Sequence, residues 1–196
     1  MPRPMRRATA LVDDRATLES WLDRALVGRL ATLDADGYPV VKPLSFAYEA
    51  GHIYFHSALE GEKLDDIRRD SRVGFEVDHL YAIVPSQGRG CQTACLYHSV
   101  VVRGRARILD DTGDDARKEH VLRLLVEKYA PGRDIGPGEA AHTAVVEIAI
   151  QDMSGKQQSG QGWSAERRLA VACALRERGG EAARAAIEWL GLPPEQ

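Results

Sequence analysis

Apolar residues recur along the chain with two periods, one typical of helices and one typical of strands. Between residues 14 and 26 the spacing is helical, and Asp14 is placed to cap the first turn. The apolar stripe of this segment consists of Leu18, Trp21, Leu22 and Leu26. Strand-like segments follow at residues 29–33, 40–48 and 53–56. Because short turns separate these segments, the pattern predicts a helix followed by an antiparallel meander.

The rest of the chain alternates between further strands and helices. Strand patterns occupy residues 72–78, 97–109 and 143–153, and helical patterns occupy residues 60–70, 114–129 and 164–190. In the longest strand one face is apolar and the other carries Arg103, Arg105 and Arg107, which indicates a solvated face. Gly179 and Gly180 break the last helical segment. Six short antiparallel strands with inserted helices favour a mainly β, α+β fold built on a closed or partly closed barrel.

Two residues of the meander restrict the local backbone structure. Gly37 ends the first hairpin turn, where it can adopt a positive φ. Pro43 has no N–H to donate, so its strand must lie at a sheet edge or carry a bulge. Near the other end of the chain, residues 155–162 are rich in Gly and Gln and predict a flexible link.

Composition narrows the class of protein. The 196 residues include 26 Lys and Arg against 29 Asp and Glu, and a net charge of −3 argues against a dedicated nucleic-acid binder. No apolar stretch is long enough for a transmembrane helix, and the basic N-terminus leads into no apolar signal core. Three cysteines are too few for a disulfide framework, so we expect a cytoplasmic protein.

Several familiar catalytic and binding motifs are absent from the sequence. It contains no dinucleotide-binding fingerprint, no P-loop, no His-Glu-x-x-His and no Gly-x-Ser-x-Gly. Cys91, Cys95 and His98 are an alternative set of three metal ligands, but their spacing is unusual for zinc and no fourth ligand is near. We therefore expect no metal site, and the cysteines are interpreted as small, partly buried residues that lead into a strand.

One segment, residues 56–64, has the composition of a phosphate cradle. A strand ends there, small and polar residues turn the chain, and a helix begins near Gly61. A helix start presents free backbone N–H groups, Ser57 adds a hydroxyl, and Lys63 adds a positive charge. An ordinary strand–turn–helix junction with a solvated lysine has the same pattern. In either case we expect the helix to bury only Leu64 and Ile67.

Six segments in order along the chain resemble the FMN-binding split barrels of the pyridoxamine-phosphate-oxidase-like superfamily, and in particular its nitroimidazole-resistance (Nim) related branch. The segment Ile53-Tyr54-Phe55-His56-Ser57-Ala58-Leu59-Glu60-Gly61, with Lys63 and Leu64, is close to the signature of that branch. The other segments are residues 30–39, 41–46, 67–73, 97–104 and 154–156. The resemblance implies a six-stranded antiparallel split β-barrel with flanking helices. Residues 1–156 would form this barrel domain, and residues 157–196 a linker and a helical extension.

The resemblance also implies a cofactor, an assembly and a set of site residues. In this superfamily FMN lies in the groove between the two subunits of a homodimer, with its phosphate at the turn before the helix. Lys63 and Ser57 would contact the phosphate, and Tyr97, Ser99 and Trp163 would come from the partner subunit. The cofactor-binding residues implied in this way are Lys42, Pro43, Leu44, Ser45, Phe46, His56, Ser57, Ala58, Gly61, Lys63, Tyr97, Ser99 and Trp163.

Glu62 departs from the pattern of the superfamily, whose members commonly carry arginine just before the lysine. A carboxylate near a phosphate is repulsive. Three alternatives follow: Arg68 or Arg69 compensates for the charge, FMN binds weakly, or another ligand occupies the groove.

The leading functional interpretation is a flavin-dependent reductase or oxidase that acts on an unknown small molecule. The branch name suggests nitroaromatic reduction, whereas the full substrate-binding set for pyridoxamine-phosphate oxidation is not recognisable. His56 is the candidate catalytic residue, as a general acid, although a histidine at a strand end is commonly structural. The alternative is a non-enzymatic carrier or sensor of flavin, deazaflavin or haem. Haem iron would be ligated by His52, His56, His79 or His98.

Overall fold

The computed structural model describes residues 7–84, 93–136 and 138–194. Within these residues the strands are β1 (Leu11–Val12), β2 (Val27–Leu33), β3 (Pro39–Ser45), β4 (Ala47–Glu49), β5 (His52–Ser57), β6 (Arg72–Val84), β7 (Ala94–Ile108) and β8 (Ala144–Gln158). The helices are α1 (Arg15–Arg24), α2 (Glu62–Arg69), α3 (Asp115–Tyr129), α4 (Ala165–Arg178) and α5 (Glu181–Trp189). No helix among the described residues is both long and apolar enough to cross a membrane.

The strands form one sheet in the order β3-β2-β6-β7-β8-β5-β4, and β1 pairs with β8. The class predicted from the sequence, an antiparallel sheet with helices, is confirmed, but eight strands are described where six were predicted. The two extra strands are the short β1 and the piece β4, which Phe46 separates from β3. Since β3 and β4 are the two ends of the order, the chain passes from one end of the sheet to the other across a single residue. The sheet must therefore curl back towards itself at Phe46.

The residues group into two compact units. The sheet unit consists of Asp14–Val77 and Val100–Ser154. The tail unit consists of the described residues of Met1–Asp13, Asp78–Ser99 and Gly155–Gln196. The long strands β6, β7 and β8 supply residues to both units. The division into a barrel domain of residues 1–156 and an extension of residues 157–196 stays a prediction.

In the sheet unit, α1 is packed as its apolar stripe predicts, with one exception. Leu18, Trp21 and Leu22 are buried, and the Asp14 side chain accepts a hydrogen bond from the Thr17 N–H as the predicted cap. Leu26, predicted to share the buried stripe, is 60% exposed. The helix ends at Arg24, so Leu26 lies in extended chain and no longer follows the helical period.

Both predictions about the meander are confirmed. Gly37 has φ of 85°, in the left-handed region that favours glycine. Pro43 lies in β3, at the end of the strand order, where a missing N–H leaves no ladder bond broken. The outward side chains of β2 and β3 alternate with inward ones, so each strand presents one face to the core and one to the surface.

Helix α3 covers one face of the sheet. Its residues Val121, Leu122 and Leu125 pack in one cluster with Tyr54 of β5 and Val145 of β8. The helix begins as predicted, because the side chain of Asp114 accepts a hydrogen bond from the Arg117 N–H. Burial of this apolar stripe is the contribution that holds the helix on the sheet.

The tail unit has a separate core formed by α4 and α5. Their buried residues Val171, Ala172, Leu175, Ala183, Ala186, Ile187 and Leu190 cluster with Leu96 of β7. The helix break predicted at Gly179 and Gly180 is confirmed. The flexible link predicted at residues 155–162 is wrong in its first half, because β8 continues to Gln158. Pairing of β8 with β1 supplies the backbone partners that the local sequence does not reveal.

Candidate functional site

The turn from β5 to α2 has the backbone of an anion-binding helix start. Strand β5 ends at Ser57, and Gly61 precedes α2 with φ of 139°. No side chain of a described residue caps this helix, although the first N–H groups of a helix have no partner within it. A Cβ added at Gly61 would meet no atom of a described residue within 4 Å, so the space beside this glycine is open. The exposed Ala58 lies in this turn.

Two polar side chains at this turn are without a partner in the described part of the chain. Ser57 is 8% exposed and Lys63 is half-buried, and neither makes an ion pair or a side-chain hydrogen bond to a described residue. A hydroxyl, an ammonium group and free helix N–H groups are the donors that a phosphate monoester or diester accepts. The residues present therefore fit the phosphate of a flavin.

Glu62, the departure from the superfamily pattern, is paired with Lys42, a residue that the resemblance assigned to the cofactor and not to this carboxylate. Its carboxylate lies 2.7 Å from the Nζ of Lys42, on the neighbouring strand β3. Arg68 and Arg69, which one of the three alternatives offered as compensation for Glu62, are bonded to other carboxylates. Arg68 donates to both carboxylate oxygens of Asp111, at 2.9 and 3.0 Å, and Arg69 donates to Asp66.

Asp66 is a buried polar residue that the helical pattern missed. It is 1% exposed, so the expectation that α2 buries only Leu64 and Ile67 is wrong. Its carboxylate accepts hydrogen bonds from the Thr32 hydroxyl at 2.8 Å and from Arg69 at 2.8 Å. Thr32 is at an inward position of β2, and a polar residue at such a position is the one signal in the sequence that predicts a buried polar partner.

The segment predicted to line the flavin ring is divided between surface and core. Pro43 and Ser45 are exposed on the outer face of β3, and Leu44 is half-buried on the other face. Phe46 is completely buried, with its ring centroid 4.9 Å from that of Phe75. Its N–H donates to the Tyr129 hydroxyl, and its carbonyl accepts from the same hydroxyl, each at 2.8 Å. Phe46 thus belongs to the core, with both backbone groups already bonded.

His56 is exposed near the end of β5. It lies on the same face of the strand as Tyr54, whereas Ser57 lies on the opposite face with Phe55, because side chains alternate along a strand. Its backbone partner in β8 is Val145. An exposed imidazole beside the turn between β5 and α2 is available to a ligand, and its catalytic role stays a prediction.

Tyr54 belongs to a charged network under α3 that the sequence did not predict. Glu147 is 4% exposed and accepts from Arg107 at 2.7 Å and from Arg117 at 3.0 Å; Arg117 also donates to the Tyr54 hydroxyl. Burial raises the pKa of Tyr54 to about 12. Burial alone would raise the pKa of Glu147 too, but the bonds from the two arginines outweigh it and hold that pKa below its usual range.

The predicted residues of the tail unit have contacts of their own. Tyr97 and Ser99 are half-buried, and the Lys156 Nζ lies 5.9 Å from the centroid of the Tyr97 ring. Trp163 is half-buried, with the guanidinium of Arg167 4.3 Å from its ring centroid. Both aromatic rings therefore have a cation near one face.

The histidines of the tail unit lie in an aromatic cluster. His98 is buried, with Nδ1 3.2 Å from the Tyr81 hydroxyl, and its ring stacks with that of His79 at 5.8 Å between centroids. Trp189 stacks on Tyr81 at 4.5 Å. Of the alternative metal set, Cys91 lies outside the described residues. Within residues 7–84, 93–136 and 138–194 there is no group of three or more His, Cys, Asp and Glu that could hold a metal ion.

Comparison with known proteins agrees with this architecture. Residues 14–157 match the family model of pyridoxamine 5'-phosphate oxidase. No curated protein sequence matches the chain at a significant level.

Three solved structures illustrate the structural similarity. An FAD-binding protein from Mesorhizobium loti is 30% identical, with a TM-score of 0.55 over 74% of this chain and 95% of its own. A candidate 5-nitroimidazole antibiotic resistance protein from Bacteroides thetaiotaomicron is 23% identical, with a TM-score of 0.66 over 74% and 85%. An FAD and haem binding protein from Mycobacterium smegmatis is 22% identical, with a TM-score of 0.67 over 88% and 81%. The family match spans most of the sheet and includes the turn between β5 and α2, so the chain belongs to the pyridoxamine 5'-phosphate oxidase family.

Proposed function

We propose that this protein is a flavoprotein, an FMN-dependent oxidoreductase that acts on a small molecule. The observation that carries the proposal is the pair Ser57 and Lys63, which have no side-chain partner in the described part of the chain and lie at the uncapped start of α2. The FAD-binding protein from Mesorhizobium loti supports a flavin as the ligand. FMN is the smallest flavin that carries a phosphate for this turn.

The residues of the chain have separate roles in this proposal. Lys63, Ser57 and the first N–H groups of α2 bind the phosphate, while Pro43, Leu44 and Ser45 line the ring. A bound flavin supplies hydride or electron transfer. His56 donates a proton to the reduced substrate, because imidazole exchanges protons readily near neutral pH. The acceptor class that the relative from Bacteroides thetaiotaomicron suggests is a nitroaromatic compound.

A second copy of the chain completes the proposed site. The outer face of the β2–β3 hairpin is apolar and exposed, with Val27, Leu33, Tyr38 and Val41 between 40% and 69% exposed. A patch of this kind favours burial against a protein partner. We assign that partner to an identical subunit, whose Tyr97, Ser99 and Trp163 reach the flavin. The cytoplasm remains the compartment that we propose from the cysteine content.

Absorption spectroscopy and flavin titration test the proposal. We expect the purified protein either to carry flavin absorption bands or, when flavin-free, to quench FMN fluorescence with saturation at micromolar concentrations. Anaerobic reduction of the bound flavin by a chemical reductant, followed by reoxidation with a nitroaromatic acceptor, then measures turnover. A protein that neither carries flavin nor binds FMN would contradict the proposed function.

A second candidate function, haem binding, is favoured by the pair His79 and His98. The two imidazole rings lie 5.8 Å apart and nearly parallel, beside the flat rings of Tyr81 and Trp189. Imidazole nitrogens are ligands of haem iron, and aromatic rings pack against its macrocycle, which supports haem as the second candidate ligand. The relative from Mycobacterium smegmatis binds both FAD and haem. Haem titration of the purified protein should then give an intense blue-violet absorption band that is lost in His79→Ala, and no band in the wild type would exclude this candidate.

A further inference from the structure

Glu62, in the first turn of α2, forms an ion pair with Lys42 of β3, and this pair changes the positive charge available to a phosphate. The Nζ of Lys42 is buried and makes no hydrogen bond within the described residues, but it lies 2.7 Å from the carboxylate of Glu62 and 4.0 Å from that of Asp66. The positive charge of Lys42 is therefore already balanced by two carboxylates, one of which is buried. Lys42 cannot also neutralise a phosphate without leaving Glu62 unpaired.

Two of the three cations of α2 are bound to carboxylates as well. Arg68 is bonded to Asp111 and lies 3.5 Å from Asp65, and Arg69 is bonded to Asp66. Of the cations on α2, only Lys63 has no carboxylate partner among the described residues. The turn therefore offers one uncompensated positive charge.

Flavins differ in the charge of the phosphate that would meet this turn. The terminal phosphate of FMN is a monoester with a charge of roughly −1.5 to −2 at neutral pH, as in other phosphate monoesters. Each phosphate of the FAD pyrophosphate has a single negative charge, because it has no second ionisable proton. The FAD pyrophosphate also carries two negative charges in all, but it spreads them over two phosphates. Glu62 therefore faces one charge at the turn when FAD binds, and up to two charges on a single phosphate when FMN binds.

We propose that the Lys42–Glu62 ion pair makes this site selective for the phosphate charge of the flavin, penalising the monoester of FMN relative to the diester of FAD. This inference rests on the proposed function, since it assigns the phosphate to the β5–α2 turn. The Glu62 side chain is 60% exposed, so solvent screens its charge and the selectivity is moderate.

Titration of the full chain, freed of copurified flavin, with riboflavin, FMN and FAD tests the proposal. Removing the charge in Glu62→Gln should lower the dissociation constant of FMN by about two- to fivefold, the range that exposed charge pairs span. The dissociation constant of FAD should change by less than about twofold on the same reasoning. That of riboflavin, which has no phosphate, should not change. The ratio of the FMN and FAD constants therefore falls in the variant, whatever the adenosine moiety contributes to FAD binding.

Asp65→Asn is the matched control, because it also removes one carboxylate from the start of α2. The Asp65 side chain is 68% exposed and is not paired with Lys42. We expect a smaller change in the FMN constant for this variant. Circular dichroism and thermal unfolding verify that both variants retain the fold. The proposal is overturned if Glu62→Gln changes the dissociation constant of FMN no more than that of riboflavin. It is also overturned if Asp65→Asn lowers the FMN constant as much as Glu62→Gln does. If the wild-type chain binds none of the three flavins, the proposed function itself fails.

Discussion

At the scale of single residues, the site depends on which charged groups are left without partners after folding. Lys42, Arg68 and Arg69 are all paired with carboxylates, while Lys63 and Ser57 have no such partner among the residues that the structure describes. A cation whose charge is already balanced by a carboxylate attracts an anionic ligand less strongly than a cation without such a partner. We therefore expect an anionic ligand to bind to Lys63 and Ser57.

Lys63→Ala should weaken FMN binding by roughly 1.5–3 kcal/mol, the value of a charge-assisted hydrogen bond. Riboflavin binding should be almost unaffected, because the lysine is assigned to the phosphate. Fluorescence titration with both ligands measures the difference, and Lys63→Arg, which keeps the charge, should restore most of the affinity. Equal losses for the two ligands would show that Lys63 acts on the fold.

His56→Ala should leave the fold intact, because the side chain is exposed. If His56 is the general acid, turnover of a reducible substrate should fall by about a hundredfold or more. FMN affinity should change only modestly. His142→Ala, which removes another exposed histidine, is the control in the same assay. Unchanged turnover in His56→Ala would disprove the catalytic role while leaving flavin binding intact.

At the scale of secondary-structure elements, α3 is the helix that connects several parts of the sheet unit. Its last residue, Tyr129, bonds to the backbone of Phe46 and lies 2.6 Å from the carbonyl of Leu26. Near its start, Arg117 joins the charged network of Glu147 and Tyr54. Polar contacts thus fix both ends of a helix whose middle is held by apolar packing.

Tyr129→Phe should destabilise the protein by about 1–3 kcal/mol, because it leaves buried backbone groups without partners. Urea unfolding measures the change. Tyr38→Phe is the control, since Tyr38 is 69% exposed. Tyr129→Phe should also weaken FMN binding, because the bonds of Tyr129 to Phe46 hold the adjoining segment that we assign to the flavin ring. A Tyr129→Phe protein as stable as the wild type would contradict this role.

The charged network predicts a loss of stability in acid. The pKa of Glu147 is lower in the folded chain than in the unfolded chain, so the unfolded chain binds the proton more tightly. The stabilising contribution is present above the ordinary glutamate pKa of 4.5 and is lost as pH falls through the lower folded value. Glu147→Gln should cost about 1–3 kcal/mol at pH 7 and flatten the fall in stability below about pH 4.5. Urea unfolding midpoints of the wild type and of Glu147→Gln, measured between pH 3 and 7, test this prediction. An equally steep fall of the midpoint in acid for both proteins would contradict it.

At the scale of the whole molecule, the exposed apolar face of the β2–β3 hairpin predicts an assembly. The protein should be a dimer with a mass near twice 21.6 kDa by light scattering at micromolar concentration. Val41→Glu, at a position 58% exposed, should shift the mass towards the monomer because it places a charge in the proposed interface. Ala141→Glu, on another exposed segment, should remain dimeric. A monomeric wild-type protein would contradict the dimer and the shared flavin site.

The amino-acid pattern was sufficient for the features that depend on neighbours in the chain. The cap of α1 by Asp14, the positive φ of Gly37 and the break at Gly179 and Gly180 were all predictable. Each involves groups within about four residues of each other, where local geometry leaves few alternatives. The same holds for the antiparallel class of the sheet, because alternation and short turns are local properties. The family could also be anticipated, since its matching segments follow one another along the chain.

Only the tertiary structure decided which residues of the site are paired. Lys42 and Glu62 are 20 positions apart, Thr32 and Asp66 are 34 apart, and Phe46 and Tyr129 are 83 apart. The same side chains can form several ion pairs of similar energy, and the curled sheet determines which of them come within reach. For this reason Arg68 and Arg69 looked available from the sequence but are bound elsewhere. Chain pattern fixes the direction in which a side chain points, whereas its partner depends on distant segments that only folding brings together.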